Sequence, residues 1–120
     1  MTTSEIATAL AWHDALTSSD LDTLVTLSSD DIEVGDAHGA GQGHQALRRW
    51  AASAEISAAP GRVYVHDGIV VVELLPDGPD GVPAAAAFRV VHDHVTAVFR
   101  HEDLASALAA TELTEADRAD

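Results

Sequence analysis

Apolar residues recur at helical spacing in the first part of the chain, and at strand spacing in the second part. In residues 5–17 they lie three and four positions apart, which predicts a first helix. The same spacing predicts a second helix from Leu21 to near Leu27 and a third from about Leu47 to Ala54. The beginning of the chain is therefore expected to be mainly helical.

Strand patterns frame and follow the third helix. Residues 31–36 alternate polar and apolar side chains, as a short half-buried strand does, and the glycine-rich residues 39–43 are expected to form a loop. Beyond Arg62 the pattern predicts two hairpins: 63–75, turning at Asp67 and Gly68, and 84–101, turning around Asp93. A short helix is expected over 102–110, and the polar tail from Thr111 is expected to fray.

Helices first and antiparallel strands afterwards indicate the α+β class, with a curved, mostly antiparallel sheet packed on three N-terminal helices and a short C-terminal helix. We expect the helices to gather on one face of the sheet. A chain of 120 residues suits one domain, here residues 1–120 with a core at about 5–110.

Composition excludes several classes of protein. Hydrophobic residues make up 47% of the chain, too many for a disordered segment, and no apolar run is long enough to span a bilayer. The net charge of −14, with six arginines and no lysine, disfavours nucleic-acid and anionic-membrane partners. There is no cysteine, and the first twenty residues lack a basic leader, so we expect an acidic cytoplasmic protein.

Several stretches resemble one known superfamily. The resemblance rests on the stretch AWHDALTSSDLDTLVTLSSDDIEVGD, on the GxG and ALRRW that follow it, and on the later stretch FRHEDLASAL. They are similar to nuclear-transport-factor-2-like domains, which include ketosteroid isomerases and SnoaL-type polyketide cyclases. The resemblance implies a cone in which a bent sheet encloses helices and an apolar pocket. It also implies a homodimer formed through the outer face of the sheet, and strands apolar on both faces fit such a dimer.

The resemblance also implies candidate catalytic residues. In isomerase-like members an aspartate at the end of the first strand is the general base, and this position matches Asp36. His13 and His38 are candidates to line the pocket or to orient that carboxylate. The alternative is that Asp36 is a loop aspartate that caps the turn into Gly39.

The same resemblance implies that this chain lacks part of the catalytic apparatus of the isomerases. The tyrosine that donates to the oxyanion in the family falls on Trp12, and the carboxylic-acid donor falls on Ala86. An alanine side chain donates nothing, and Trp12 also suits a plain core aromatic residue. The expected pocket lining is Trp12, Leu16, Trp50, Ala86, Phe88 and Phe99.

The histidines and glycines give no cofactor signature. Seven histidines are scattered over the predicted elements, and His92 and His94 would need a third converging ligand to bind a metal. Residues 39–43 are not part of a strand-turn-helix nucleotide motif. We therefore expect no metal and no cofactor.

Two functions remain open from the sequence. In the first, the pocket binds an apolar small molecule without catalysis. In the second, the chain is a SnoaL-like or isomerase-like enzyme in which Asp36 moves a proton on a carbonyl or polyketide-like substrate. The lining of the pocket separates the two functions, because catalysis needs a donor opposite Asp36.

Overall fold

The structure is a computed structural model that describes residues 2–36, 39–53, 58–76 and 83–119. At positions 2, 3, 36, 52, 53, 58 and 76 it describes the backbone alone. The helices are α1 (Thr2–Thr17), α2 (Leu21–Thr26), α3 (His44–Ser53) and α4 (Leu104–Thr111). The strands are β1 (Ser28–Asp36), β2 (Gly39–Gln42), β3 (Ala58–His66), β4 (Ile69–Pro76), β5 (Ala84–Val91) and β6 (His94–His101), and a 3-10 turn spans Glu115–Asp117.

The strands form one six-stranded sheet in the order β2-β1-β6-β5-β4-β3. Neighbours pair antiparallel except β1 and β6, which are parallel. The parallel pair arises because β3, the first strand after α3, lies at the far edge of the sheet, and the β3 to β6 meander then returns to lie beside β1. The predicted α+β class with a mostly antiparallel sheet is confirmed.

The glycine-rich residues 39–43 were expected to form a loop, and this expectation is wrong. Residues Gly39–Gln42 form the edge strand β2, paired with β1 from Asp36 opposite Gly39 to Glu33 opposite Gln42. A Cβ atom at Gly41 would lie 2.9 Å from the Cβ of Ala46, so the missing side chain lets α3 pass close over β2. Backbone pairing with β1 outweighs the usual preference of glycine for loops.

The inner face of the sheet carries the main core. Helices α1, α2 and α3 pack there, and Asp20 caps α2 by accepting a hydrogen bond from the Thr23 N–H at 3.3 Å. Helix α3 turns Arg48 and Arg49 to solvent, as its apolar stripe predicts. The buried strand residues of this core are Ile32, Val34, Val63, Val65, Val70, Val72, Leu74, Ala86, Phe88, Val90, Val95 and Val98.

Helix α4 lies on the opposite, outer face of the sheet, against β4, β5 and β6. The expectation that all helices share one face is therefore wrong for α4. The cause is a second apolar surface on the strands, where Val71, Ala85 and Ala87 form a separate buried cluster with Ala107 and Leu113. Short alanine side chains let the helix approach the sheet closely.

The chain beyond α4 packs against the sheet instead of fraying. Leu113 is buried, and Thr114 and Asp117 form a reciprocal capping box at the 3-10 turn. The Ala119 N–H then donates to the carbonyl of Val63 at 2.8 Å, next to a bridge between Tyr64 and Arg118. The tail was predicted to fray because its sequence is polar, but these local hydrogen bonds and one buried leucine hold it.

Candidate functional site

Three aromatic rings meet between the helices and the inner face of the sheet. The Trp12 ring of α1 lies 6.0 Å from the Trp50 ring of α3 and 5.5 Å from the Phe88 ring of β5, the latter edge to face. Trp12 and Phe88 are buried, while Trp50 is only partly buried. The cluster therefore has a solvent-accessible side at Trp50.

The indole N–H of Trp12 is already used within the protein. It donates to the Ser28 hydroxyl oxygen at 2.9 Å, and that hydroxyl donates to the carbonyl of Leu24 at 2.7 Å. A donor engaged in this way is not aimed at a ligand. The geometry thus removes Trp12 as an oxyanion donor and makes it an anchor between α1 and the start of β1.

Ala86 lies on the inner face, two positions from Phe88 on β5. Its partners across the sheet are Val72 on β4 and Arg100 on β6. The side chain is buried and apolar, so this part of the inner face offers a smooth wall.

Arg100 is the residue near this wall that sequence reasoning missed. It is partly buried and two positions from the buried Val98 on β6. Simple alternation from Val95 would turn position 100 outward together with Thr96. The register shifts there, since Arg89 pairs with Ala97 but Val90 pairs with Val95, and the extra residue reverses the faces beyond it. The sequence carries no sign of this bulge.

The same bulge determines the face of Phe99. Phe99 pairs with Ala87, which belongs to the outer cluster, so its ring lies on the outer face and not beside Phe88. A Cβ atom at Gly35 would come within 2.9 Å of the Phe99 ring. Of the expected pocket lining, the structure brings Trp12, Leu16, Trp50, Ala86 and Phe88 to the inner core. It does not bring Phe99 there.

The three candidate catalytic residues are described to different extents. Asp36 ends β1, with its backbone paired to Gly39, but its side chain lies outside what the structure describes. His38 lies outside the described residues altogether. His13 follows Trp12 on α1, is 5% exposed and interacts with at least one other residue.

An open groove of about 480 Å³ lies on the outer face between β6 and α4. Strand β6 contributes to its floor from Phe99 onward, including Arg100, although strand alternation turns position 100 inward. The lining residues are Ala87, Phe99, Arg100, His101, Glu102, Ser106, Ala110 and Thr111. This is a second concave surface, separated from the aromatic cluster by the sheet.

Tyr64 links the outer face to the chain beyond α4. It is fully buried, and its hydroxyl donates to a carboxylate oxygen of Glu115 at 3.0 Å. Burial, and then the hydrogen bond to Glu115, raise the pKa of Tyr64 above its usual 10.0. At the start of α4, hydrogen bonds from the backbone and side chain of Ser106 lower the pKa of Asp103 below 3.8. Both groups serve structure and lie away from the aromatic cluster.

The histidines do not converge within the described ranges. No three His, Asp or Glu side chains there are grouped so as to hold a metal ion. His92 and His94 are exposed at the β5–β6 turn, where a ring nitrogen of His94 lies 2.9 Å from the carbonyl oxygen of His92. Over the same part of the chain, the helices are too short or too polar to cross a bilayer.

Comparison with known proteins supports the fold alone. No family model and no curated protein matches the chain. Solved structures do match, among them an NTF2-like protein of unknown function from Cytophaga hutchinsonii. It is 10% identical with a TM-score of 0.70, over 85% of this chain and 92% of that one.

Two further solved structures have the same fold and carry more informative names. A protein from Sinorhizobium meliloti, provisionally named a polyketide cyclase, has a TM-score of 0.69 at 20% identity, over 79% of this chain and 94% of that one. A Catenulispora acidiphila protein with a ketosteroid-isomerase-like fold, solved with trimethylamine, has a TM-score of 0.64 at 22% identity, over 89% and 93%. The chain thus has the nuclear-transport-factor-2-like fold expected from its sequence.

Proposed function

We propose that the chain binds an apolar small molecule against the inner face of its sheet, beside the aromatic cluster. The observation that carries the proposal is the partly buried Trp50. Its ring contacts the buried Trp12 ring between two helices and the sheet. Small-molecule sites are lined mainly by hydrophobic and aromatic side chains. Ala86 and Phe88 extend this apolar surface along β5.

The fold comparison supports the same proposal. One matching structure contains trimethylamine, and another is provisionally named a polyketide cyclase, so relatives in fold are associated with small molecules. These names describe those proteins. For this chain they favour a ligand-binding role over a purely structural one.

The two tryptophans make the proposal directly testable. Both lie in the aromatic cluster and the chain has no others, so all tryptophan emission comes from this cluster, and the two variants below locate the bound dye. We expect the neutral dye N-phenyl-1-naphthylamine to bind and to receive energy transfer from the tryptophans. Ala86→Leu should weaken this binding, because the larger side chain would occupy the space proposed for the ligand. Ala97→Leu, on the outer face, should leave the binding unchanged.

Two outcomes would contradict the proposed site. One is the absence of energy transfer at every dye concentration that stays in solution. The other is equal binding by wild type and by folded Ala86→Leu protein, with folding checked by urea unfolding.

Asp36 supports a second candidate function, an enzyme that transfers a proton on a carbonyl or polyketide-like substrate. The observation that favours it is the backbone register. Gly35 pairs with Phe99, so position 36 lies beside Arg100, at a register position on the inner face of the sheet. The donors of a ketosteroid isomerase are nevertheless missing, because Trp12 donates to Ser28 and Ala86 has no donor. Each lost donor typically costs about 10²- to 10³-fold in rate.

We therefore expect negligible turnover of a Δ5-ketosteroid by the wild type and by Asp36→Asn. Robust wild-type turnover that Asp36→Asn abolishes would refute the missing-donor argument and favour the enzyme.

We also propose a homodimer, whose interface would be limited to the part of the outer face that α4 leaves open. Helix α4 covers the outer face over β4 to β6, so sheet-to-sheet packing would use the area near β1, β2 and the start of β6. Light scattering at micromolar concentration should give about twice the chain mass of 12.5 kDa. A monomer at all concentrations would remove this interface.

A further inference from the structure

Arg100 is the cation that the register assigns to the inner face. Its partner across the sheet is Ala86, which belongs to the inner core, and Val98 two positions away is buried in that core. Arg100 is itself partly buried. It therefore borders the apolar wall proposed above as a ligand site.

The other five arginines lie elsewhere. Arg48 and Arg49 are exposed on α3, and the Nε of Arg62 lies 4.0 Å from a carboxylate oxygen of Glu73. Arg89 is exposed on the outer face, opposite Ala97. Arg118 is exposed and bridges to Tyr64 at the edge of the sheet. Of the six arginines in the sequence, Arg100 alone has an inner-face position.

Partial removal of a guanidinium from water costs free energy, and an anion bound beside it offsets that cost. Among the residues whose side chains are described, no ion pair involves Arg100. The carboxylate of Asp36, which follows Gly35 on the neighbouring strand, is not among these side chains. Ala86 opposite it has only a methyl side chain, which offers Arg100 no polar partner. The arginine fork matches a carboxylate in a two-bond geometry that no other side chain offers as well.

We infer that the ligand of this protein is an apolar molecule with a carboxylate, and that Arg100 binds the carboxylate. This inference rests on the proposed inner-face site and adds the chemical class of its ligand. The net charge of −14 makes the inference specific, since the field of the whole protein repels anions and only a local cation reverses this.

The test uses a matched pair of competitors, 2-naphthoate and the neutral 2-naphthamide, which share one shape and differ in charge. In the assay each competitor is titrated against bound N-phenyl-1-naphthylamine. Displacement of the dye is measured as a loss of energy transfer from the tryptophans. We expect wild type to prefer the carboxylate by about 10- to 100-fold, the range for a charge-assisted contact. Arg100→Gln should reduce this ratio to about one.

Two variants control for other effects. Arg89→Gln removes the same charge from the outer face of the neighbouring strand and should keep the preference. Arg100→Lys keeps the charge without the fork and should keep part of the preference, which covers the case in which Arg100→Gln does not fold. A ratio rather than an affinity is compared, so a general loss of stability does not imitate the effect.

Several outcomes would overturn the inference while leaving the proposed site intact. They are a wild type that binds the dye without preferring the carboxylate, a preference that survives in Arg100→Gln, and an equal loss in Arg89→Gln. A preference for the carboxylate that appears only in Asp36→Asn would show that Arg100 pairs with Asp36 in the wild type. That result would also overturn the inference. Failure of the dye to bind wild type would instead remove the proposed site itself.

Discussion

On the inner face of the sheet, large side chains of the strands interlock with α1, α2 and α3, whereas on the outer face alanines at 85 and 87 let α4 lie close to the backbone. The inner face buries an aromatic cluster, and the outer face leaves an open groove beside α4. The same strands therefore support two kinds of packing. Side-chain size separates them, since both faces are apolar.

The difference shows how an apolar outer face can be satisfied within one chain. Strands that are apolar on both sides favour either a partner subunit or a cover from the chain itself. Here α4, Leu113 and the residues beyond provide much of the cover. A dimer is thus not required to bury the part of the outer face over β4 and β5.

The largest expected effect contrasts two phenylalanines on neighbouring strands. Phe88→Ala should lower the free energy of unfolding by about 3–5 kcal/mol, because its ring is buried on the inner face. Phe99→Ala should cost clearly less, because its ring is partly exposed on the outer face. Urea unfolding of both variants measures the contrast, and equal losses would show that the faces are packed alike.

A smaller effect is expected where α4 approaches the outer face. Ala107 is fully buried against the sheet, so Ala107→Leu should overpack this contact and cost about 1–3 kcal/mol. The exposed Ala109 of the same helix is the matched control, and Ala109→Leu should change stability by about 0.5 kcal/mol or less. If the two variants unfold at the same urea concentration, α4 does not pack as described.

Tyr64 tests the attachment of the tail to the outer face. Tyr64→Phe removes the hydrogen bond to Glu115 and should cost about 0.5–1.5 kcal/mol. Because the pKa of Tyr64 is raised, its contribution is complete below pH 10 and falls as the pH rises from there through the folded pKa. Tyr64 is the only tyrosine, so phenolate absorbance follows it alone. A midpoint at or below 10 would contradict its burial.

The smallest effect concerns Asp103, the exposed N-cap of α4. Its lowered pKa means that the cap stabilises the helix above pH 3.8 and that this contribution is lost as the pH falls through the folded pKa. Carboxyl and amide chemical shifts of Asp103 and Ser106 should move together in an NMR titration. Independent midpoints for the two residues would remove the cap.

The periodicity of the sequence was enough to predict most elements of the fold. Helical spacing identified α1 to α4, and the turn at Asp67 and Gly68, both at positive φ, marked the first hairpin. Strand β2 was missed because glycine has no pattern that separates an edge strand from a loop. The packing of the tail was missed because its hydrogen bonds depend on the folded partner strand.

The candidate site was less predictable for a geometric reason. Trp12 and Phe88 could be assigned inward because they continue regular patterns. The bulge at Thr96 reverses the faces of β6 beyond it, which exchanges Phe99 and Arg100 between the two sides. A register shift depends on how two distant strands pair, and neither strand sequence contains it.

The bridge between Tyr64 and Arg118 covers part of the edge strand β3. During synthesis all six strands leave the ribosome before residues 112–119 do. Until these residues arrive, the outer edge of β3 offers unpaired backbone groups to other nascent chains, as any open sheet edge does. The hydrogen bond from Ala119 to Val63 occupies part of that edge, so residues 118 and 119 shorten the backbone that is open to intermolecular strand pairing.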